Sequence, residues 1–339
     1  MKFLLTAINA KFIHSNPAIY SLRAGVGEKL QPYVELAEFT INESLESILE
    51  GIWKRQPKVI GFSCYIWNWK LIREILTELP KILPDTEIWL GGPEVTYDGP
   101  GLLSEFPQVT GIMVGEGEVT FREVLGQYVR EAESTGQSEQ QPEPDSIEQQ
   151  AADRTGTLAG KSVAERFGQI PGLCLASGYT APRELTDLTT LPFLYEDMEP
   201  FTNRIIYYET SRGCPYRCSY CLSSIDKKVR LRDIDVVKRE LQFFLDQNVK
   251  QVKFIDRTFN CDHKHAMEIW EYIYKHDNGV TNFHFEISAD ILREEEIVLL
   301  NRFRPGLAQL EIGVQSTNPE TIRAIHRVMN VDKLEKIVA

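Results

Sequence analysis

Over the first 130 residues, apolar runs alternate with stretches whose apolar positions recur every three or four residues. Residues 2–8 form an apolar run that reads as a strand, and Asn16-Pro17 then offers an N-cap and a first helical position for a helix over 17–30. Residues 33–41 alternate as a strand, and Leu45, Ile48, Leu49 and Ile52 follow on one helical face. Residues 58–65 predict a third strand, and 71–83 a helix carrying Ile72, Ile75, Leu76 and Leu79. Residues 87–90 run into Gly91-Gly92, and 111–114 into Gly115. Strands and helices alternating at this spacing predict a parallel, doubly wound α/β sheet covered on both faces.

The pattern breaks at Glu131. No aromatic residue occurs between Tyr128 and Phe167, and Gln, Glu, Ser and Pro dominate the first half of that interval. So polar a segment buries too little apolar surface to offset its ordering entropy, so 131–168 is expected to be a disordered acidic linker with a short helix near 161–167. Residues 169–203 read as an interdomain connection. Alternation resumes from Arg204, with strands expected at 204–210, 251–256, 282–288 and 308–314. Helices are expected near 236–248, 265–276 and 294–303, and a last one from Pro319. The expected domains are therefore 1–130 and 204–339, the second a βα array.

Composition agrees with two globular domains. The chain has 339 residues, 42% of them apolar and 25% charged. Its formal charge of −12 provides no field that would gather a phosphate backbone, which argues against a nucleic-acid partner. No run approaches the roughly 18 apolar residues of a membrane span, and the N-terminal run is too short for a signal peptide. A cytoplasmic location is the expectation. Six cysteines are too few for a disulfide scaffold, yet three of them crowd into eight positions, which points to metal or redox chemistry.

Those three are Cys214, Cys218 and Cys221, a C-x3-C-x2-C motif directly after the strand expected at 204–210. Three thiolates on one tight loop can hold three corners of a cubane cluster and leave the fourth iron open to a substrate. Gly213 lets the chain turn close by, and Arg212 and Arg217 offer positive charge. The same cysteines also suit structural zinc, with Cys261, His263 or His265 as fourth ligand, although paired C-x2-C knuckles are the usual zinc spacing.

With the aromatic Tyr220 before the third cysteine, the motif resembles the signature of radical S-adenosylmethionine (SAM) enzymes. The resemblance implies a [4Fe–4S] cluster on Cys214, Cys218 and Cys221, SAM chelated to the open iron, and a partial (β/α) TIM-like barrel with the cluster loop at its C-terminal rim. That family's barrel has six βα units, so about four are expected here and the chain reads as truncated within the core. A Gly-Gly-Glu-type segment on the second strand is replaced by Phe254-Ile255-Asp256-Arg257-Thr258-Phe259-Asn260, as in the cobalamin-binding branch. On the SAM side the resemblance implicates Tyr220, Asp256, Glu286, Glu311, Gln315 and Ser316, while Asp290 points to the same rim. Cys261, His263 and His265 are expected at a solvated helix start capped by Asp262.

A doubly wound, Rossmann-like domain ahead of such a barrel resembles the cobalamin (B12)-binding domain of B12-dependent radical SAM proteins. The supporting positions, all at or beyond strand ends, are Asn9 in the loop to Asn16, Ser63, Gly91-Gly92-Pro93-Glu94 and Gly115-Glu116-Gly117-Glu118. Asn9, Ser63, Gly91, Gly92, Gly115 and Glu116 are thus the cobalamin-side candidates, with Tyr65, Trp67 and Trp69 suited either to a macrocycle face or to the core. Histidine-ligating cobalamin domains carry D-x-H-x-x-G after the first strand. Here Phe12 and Pro17 replace its Asp and Gly around His14, so His14 is expected not to ligate cobalt.

The resemblance implies an enzyme that cleaves SAM reductively to a 5′-deoxyadenosyl radical, which abstracts hydrogen from a small-molecule substrate. In many relatives methylcobalamin then methylates the carbon radical. An electron donor such as flavodoxin or ferredoxin is implied as partner. The rival readings are a non-catalytic cofactor-binding fragment and a zinc-stabilised binding module.

Overall fold

The computed structural model describes residues 2–134 and 161–338. They form two units, one reaching Thr186 and including Pro192–Asp197, the other made of Asp187–Leu191 and the chain from Met198 onward.

In the first unit, β1 (Phe3–Asn9), α1 (Pro17–Gly25), β2 (Val34–Thr40), α2 (Leu45–Trp53), β3 (Val59–Ser63), α3 (Trp69–Ile82), β4 (Glu87–Gly91), α4 (Gly99–Glu105), β5 (Val109–Met113) and α5 (Gly117–Ser134) alternate. The strands β2-β1-β3-β4-β5 pair in parallel, so the order reverses direction at β1. All seven residues of β1 are buried, as a central strand covered on both faces requires. Leu4 and Ile8 join the core beneath α2, α3 and α4. Phe3, Leu5 and Ala7 join the core beneath α1 and α5 on the opposite face. The helix expected over 17–30 stops at Gly25, because Gly27 takes φ +79° and turns the chain.

The connection expected at 169–203 is partly sheet instead. A short helix, α6 (Val163–Phe167), is followed by β6 (Leu173–Leu175) and β7 (Gly178–Tyr179). Strand β6 pairs antiparallel with β5, and β7 with β6, so these two strands extend the first sheet, and the chain passes between the units only after Thr186. Leu173, Cys174 and Leu175 are fully buried, which is why they stay on the sheet. Glu131–Ser134 lie within α5, and the remainder of the linker expectation, residues 135–160, lies outside the described residues.

The second unit runs β8 (Ile206–Tyr208), β9 (Ser211–Arg212), β10 (Arg230–Leu231), α7 (Ile234–Asp246), β11 (Gln251–Phe254), α8 (His263–Lys275), β12 (Asn282–Ile287), α9 (Glu294–Leu300), β13 (Ala308–Ile312), α10 (Pro319–Ala324) and α11 (Val331–Val338). Strands β8, β11, β12 and β13 form a parallel four-stranded sheet, and β9 and β10 a separate antiparallel pair. One sheet face is apolar, with Tyr208, Val252, Phe254, Phe283 and Phe285 buried together with Leu241, Phe244 and Trp270 of the helices. The single helix expected from Pro319 divides in two. His326 adopts φ +52° and the Arg327 amide reaches back to the Ile322 carbonyl at 3.1 Å, closing α10.

Candidate functional site

The antiparallel pair β9–β10 aligns Arg212 with Arg230 and closes the base of the loop that carries the cysteines. Inside it the Cys214 amide donates to the Asp226 carbonyl at 2.9 Å and the Cys221 amide to the Cys218 carbonyl at 3.1 Å. Gly213 takes φ +98°, and a Cβ there would strike the Lys228 carbonyl, so the close turn expected of it is required. Cys214 and Cys218 are only 8% and 7% exposed, and Cys221 is half-buried. The Cys214 Sγ lies 3.6 Å from the Thr258 hydroxyl. All six cysteines are free thiols, and among the described residues no group of three or more His, Cys, Asp or Glu side chains is placed to hold a metal ion. Arg212 grips Glu209 at 2.9 and 2.7 Å, and Arg217 is exposed.

Beside this loop opens a cleft of about 220 Å³. Tyr216, Cys218, Tyr220 and Cys221 border it from the loop, and Arg257 and Thr258 from the end of β11. Glu286, Ile287 and Ser288 come from the end of β12, Glu311, Gly313 and Gln315 from β13 and beyond, and Arg327 and Val328 from the α10–α11 turn. Four SAM-side candidates, Tyr220, Glu286, Glu311 and Gln315, therefore meet at one cleft. The Arg327 guanidinium donates to the Tyr220 hydroxyl at 3.1 Å and also to the Gly313 carbonyl.

The other two lie elsewhere. Asp256 is 1% exposed and accepts the Thr210 amide at 3.1 Å, the Thr210 hydroxyl at 2.7 Å and the Ser211 hydroxyl at 2.5 Å. Burial pushes its carboxyl up to about 6 against the opposing pull of those hydrogen bonds. The Ser316 hydroxyl accepts the Asn318 amide at 3.1 Å and does not line the cleft. Asp290 accepts the Ser288 hydroxyl at 2.9 Å and the Asn330 amide at 2.9 Å.

The sheet face opposite the helices is polar. Glu286 and Glu311 stand side by side in register on β12 and β13, and the Lys253 ammonium lies 3.6 and 3.0 Å from them. His284 Nε2 is 3.0 Å from the Glu311 carboxylate. Burial, then the Lys253 charge, pulls the His284 imidazole below its usual range, and the bond to Lys253 holds Glu311 below its own.

The helix start expected at 261–265 is present, but it is not solvated. His265 is 6% exposed, Cys261 is half-buried, and the His263 Nδ1 lies 2.9 Å from the buried Glu296 carboxylate. Burial and then the neighbouring Cys214 push the Cys261 thiol up to about 11. Asp262 does cap α8, accepting the His265 amide at 2.9 Å.

In the first unit the candidates gather at the carboxyl ends of β1, β3, β4 and β5, around the point where the strand order reverses. The Asn9 amide donates to Glu38 at 2.8 Å and to the His14 carbonyl at 3.0 Å. The Asn16 amide nitrogen reaches the Ser63 hydroxyl at 3.5 Å, so the β1–α1 loop is pinned across β1 and β3. Gly92 takes φ +109°, and a Cβ there would lie 2.5 Å from the Cys64 carbonyl oxygen. Gly91 accepts the Cys64 amide at 2.7 Å. Gly115, at φ +79°, has nothing within 4 Å of where a Cβ would stand. Glu116 accepts the Thr186 amide at 2.7 Å. Around these ends Phe12, Ile13, Ile66 and Trp67 expose large apolar side chains. Tyr65 stacks on Trp67 at 4.3 Å, whereas Trp69 turns to the core against Phe106. His14 is half-buried in a turn closed by its amide on the Lys11 carbonyl at 3.1 Å.

Both sites suit the groups that the sequence implies. Three thiols on a loop, two of them shielded from water, provide a soft donor set for an iron–sulfur cluster. An apolar rim around strand ends built from glycine suits a flat macrocycle. Lys253, Arg257, Thr258, His284 and Arg327 were not legible as site residues. Lys253 and His284 do leave a signal, as polar residues at alternate positions of otherwise apolar strands.

The family model for the B12 binding domain matches residues 4–125, and that for the radical SAM superfamily matches residues 208–339. The 2-(S-pantetheinyl)-carbapenam-3-carboxylate methyltransferase of Streptantibioticus cattleyicolor is 27% identical over 64% of this chain and 29% of its own length. The cobalamin-dependent radical SAM methyltransferase TokK of Streptomyces tokunonensis is 24% identical over 60% of this chain and 28% of its own. The chain thus spans under a third of these relatives. The fold matches the solved radical SAM methyltransferase TsrM from Kitasatospora setae with a TM-score of 0.67 at 18% identity, across 100% of this chain and 65% of that one.

Proposed function

This chain belongs to the radical SAM proteins that carry a B12-binding domain, and from that premise we propose that it is a cobalamin-dependent radical SAM enzyme acting on an unactivated carbon of a small-molecule substrate, by methylation or a related radical modification. The observation that carries the reading is the position of Cys218 and Cys221 on the wall of the cleft that also gathers Tyr220, Glu286, Glu311 and Gln315. Cys214, Cys218 and Cys221 would hold the [4Fe–4S] cluster, which when bound supplies the single electron that cleaves SAM.

The remaining work falls to the chain's own groups. Glu286, Glu311 and Gln315 offer hydrogen-bond acceptors to the polar parts of SAM, and Arg327 fixes the Tyr220 ring at the cleft mouth. Asp256 and Ser316 act from behind, by holding the strand that leads to the cysteines and the turn before α10. In the first unit Asn9 and Ser63 set the loops, and Gly91, Gly92, Gly115 and Glu116 shape the backbone that would receive the corrin. A low-potential donor such as flavodoxin or ferredoxin supplies the electron. A cytoplasmic location is proposed on the reducing surroundings that suit a cluster held by cysteine thiolates; among the described residues no helix is long and apolar enough to cross a membrane.

Anaerobic reconstitution tests the reading. About four irons and four sulfides per chain are expected. Cys214→Ala, Cys218→Ala or Cys221→Ala should each prevent a stable cluster, whereas Cys64→Ala and Cys174→Ala, both in the core of the first unit, should not. Stoichiometric zinc without iron–sulfur absorbance would overturn it.

A further inference from the structure

The loop that carries the cysteines inverts the charge of the protein. The chain as a whole has a formal charge of −12, yet between Arg212 and Arg230 stand five basic residues against one acidic residue, Asp226. Two of the five are committed, Arg212 to Glu209 and Arg230 to Asp226. Arg217, Lys227 and Lys228 are exposed and have no ion pair among the described residues. A general solvated surface would follow the average charge of the chain, and this loop does the opposite.

The same loop exposes apolar groups. Leu222 and Ile225 are 49% and 58% exposed. They flank a tight turn in which the Ser224 amide donates to the Cys221 carbonyl at 3.1 Å and the Ile225 amide to the Leu222 carbonyl at 3.2 Å. Side chains three apart in such a turn eclipse one another, so the two stand together. The turn starts at Cys221, and the Lys227-Lys228 segment passes against Gly213, next to Cys214. An exposed apolar pair with basic neighbours is thus tied by backbone to two of the three cysteines. Apolar contact with a charged surround is the usual make-up of a transient protein interface.

We infer that the outer face of the loop, Arg217, Leu222, Ile225, Lys227 and Lys228, is the docking surface for a small acidic protein that carries a low-potential one-electron centre. The inference rests on the cluster assignment above. Local charge and chemistry together decide the occupant: Arg217, Lys227 and Lys228 present basic side chains to an acidic surface, and a partner with a one-electron centre is the one that the neighbouring cluster calls for.

A flavodoxin serves as the probe, with binding measured by titration calorimetry and cluster reduction followed by absorbance. Wild-type affinity should fall steeply as salt rises. The double variant Lys227→Glu/Lys228→Glu should bind about tenfold or more weakly and lose reduction by flavodoxin while dithionite still reduces its cluster. Ile225→Ser should weaken binding with little change in salt dependence. Lys29→Glu/Lys58→Glu, exposed lysines of the first unit, should bind as the wild type does. Equal flavodoxin affinity in the wild type and Lys227→Glu/Lys228→Glu would overturn the inference. A failure of the cluster assignment would show separately, as missing iron–sulfur absorbance in every protein including the wild type.

Discussion

Asp256 at the end of β11 accepts both the amide and the hydroxyl of Thr210, at 3.1 and 2.7 Å, and so fixes the segment that enters the cysteine loop. An asparagine there keeps one acceptor oxygen but turns an N–H toward the Thr210 amide or the hydroxyls. Asp256→Asn should therefore cost about 1–3 kcal/mol, the penalty of unpaired buried polar groups. Burial raises the folded-state pKa to about 6 from 3.8. The linked stability is therefore fully present below about pH 4 and is lost as pH rises through about 6. Urea unfolding of both proteins should show the gap between them narrowing from pH 4 to neutrality. A gap that widens with pH would refute this account.

Lys253 sits where two carboxylates would otherwise face each other unscreened. Lys253→Met removes the cation that holds Glu311 low and that, after burial, depresses His284. Both should then titrate higher, His284 through loss of repulsion and Glu311 through loss of its partner. Histidine resonances followed by NMR across pH 5–8 report the first shift. An unmoved His284 titration would mean that burial alone sets it.

Much of this was legible in the chain because the signals were local. The parallel strands of both units follow from buried apolar runs, and the cysteine motif from spacing alone. Positions that depend on non-local packing were not legible. Leu173–Leu175 read as a connection because three apolar residues are too short a run to announce a strand, and only the open side of β5 makes them one. Arg327 reaches the cleft because His326 turns left-handed and breaks a pattern that reads as one continuous helix. The family resemblance implicates Asp256 on the SAM side. Its burial depends on Thr210 and Ser211, 46 and 45 residues away in sequence.

Arg166 provides a test of the first unit. Its side chain is 1% exposed and bonds Glu87 at 3.0 and 3.1 Å and Glu131 at 2.9 Å, joining α6 to β4 and α5. Arg166→Met fills the space but strands two carboxylates. A loss of about 3 kcal/mol is expected, the low end for a broken buried pair because the glutamates retain some solvent. Denaturant unfolding checks it, and a loss below about 1 kcal/mol would place the pair among surface ion pairs.

Gly92 and Gly115 separate two reasons for a glycine at a strand end. Both have positive φ, +109° and +79°, so alanine at either carries a conformational cost of about 1–2 kcal/mol. Only Gly92 adds a collision, because its Cβ would lie 2.5 Å from the Cys64 carbonyl oxygen and 3.1 Å from the Cys64 nitrogen. That contact is backbone on backbone, so relief requires β3 and β4 to part where Cys64 donates to Gly91 at 2.7 Å. Gly92→Ala should therefore lower the melting temperature of the first unit clearly more than Gly115→Ala does. The two should also differ in cobalamin binding followed by absorbance. Gly92→Ala should weaken it through the displaced strand ends, and Gly115→Ala should weaken it only where the added methyl itself meets the corrin. Equal losses of stability in the two variants would show that backbone conformation, and not the close approach to Cys64, fixes glycine at position 92.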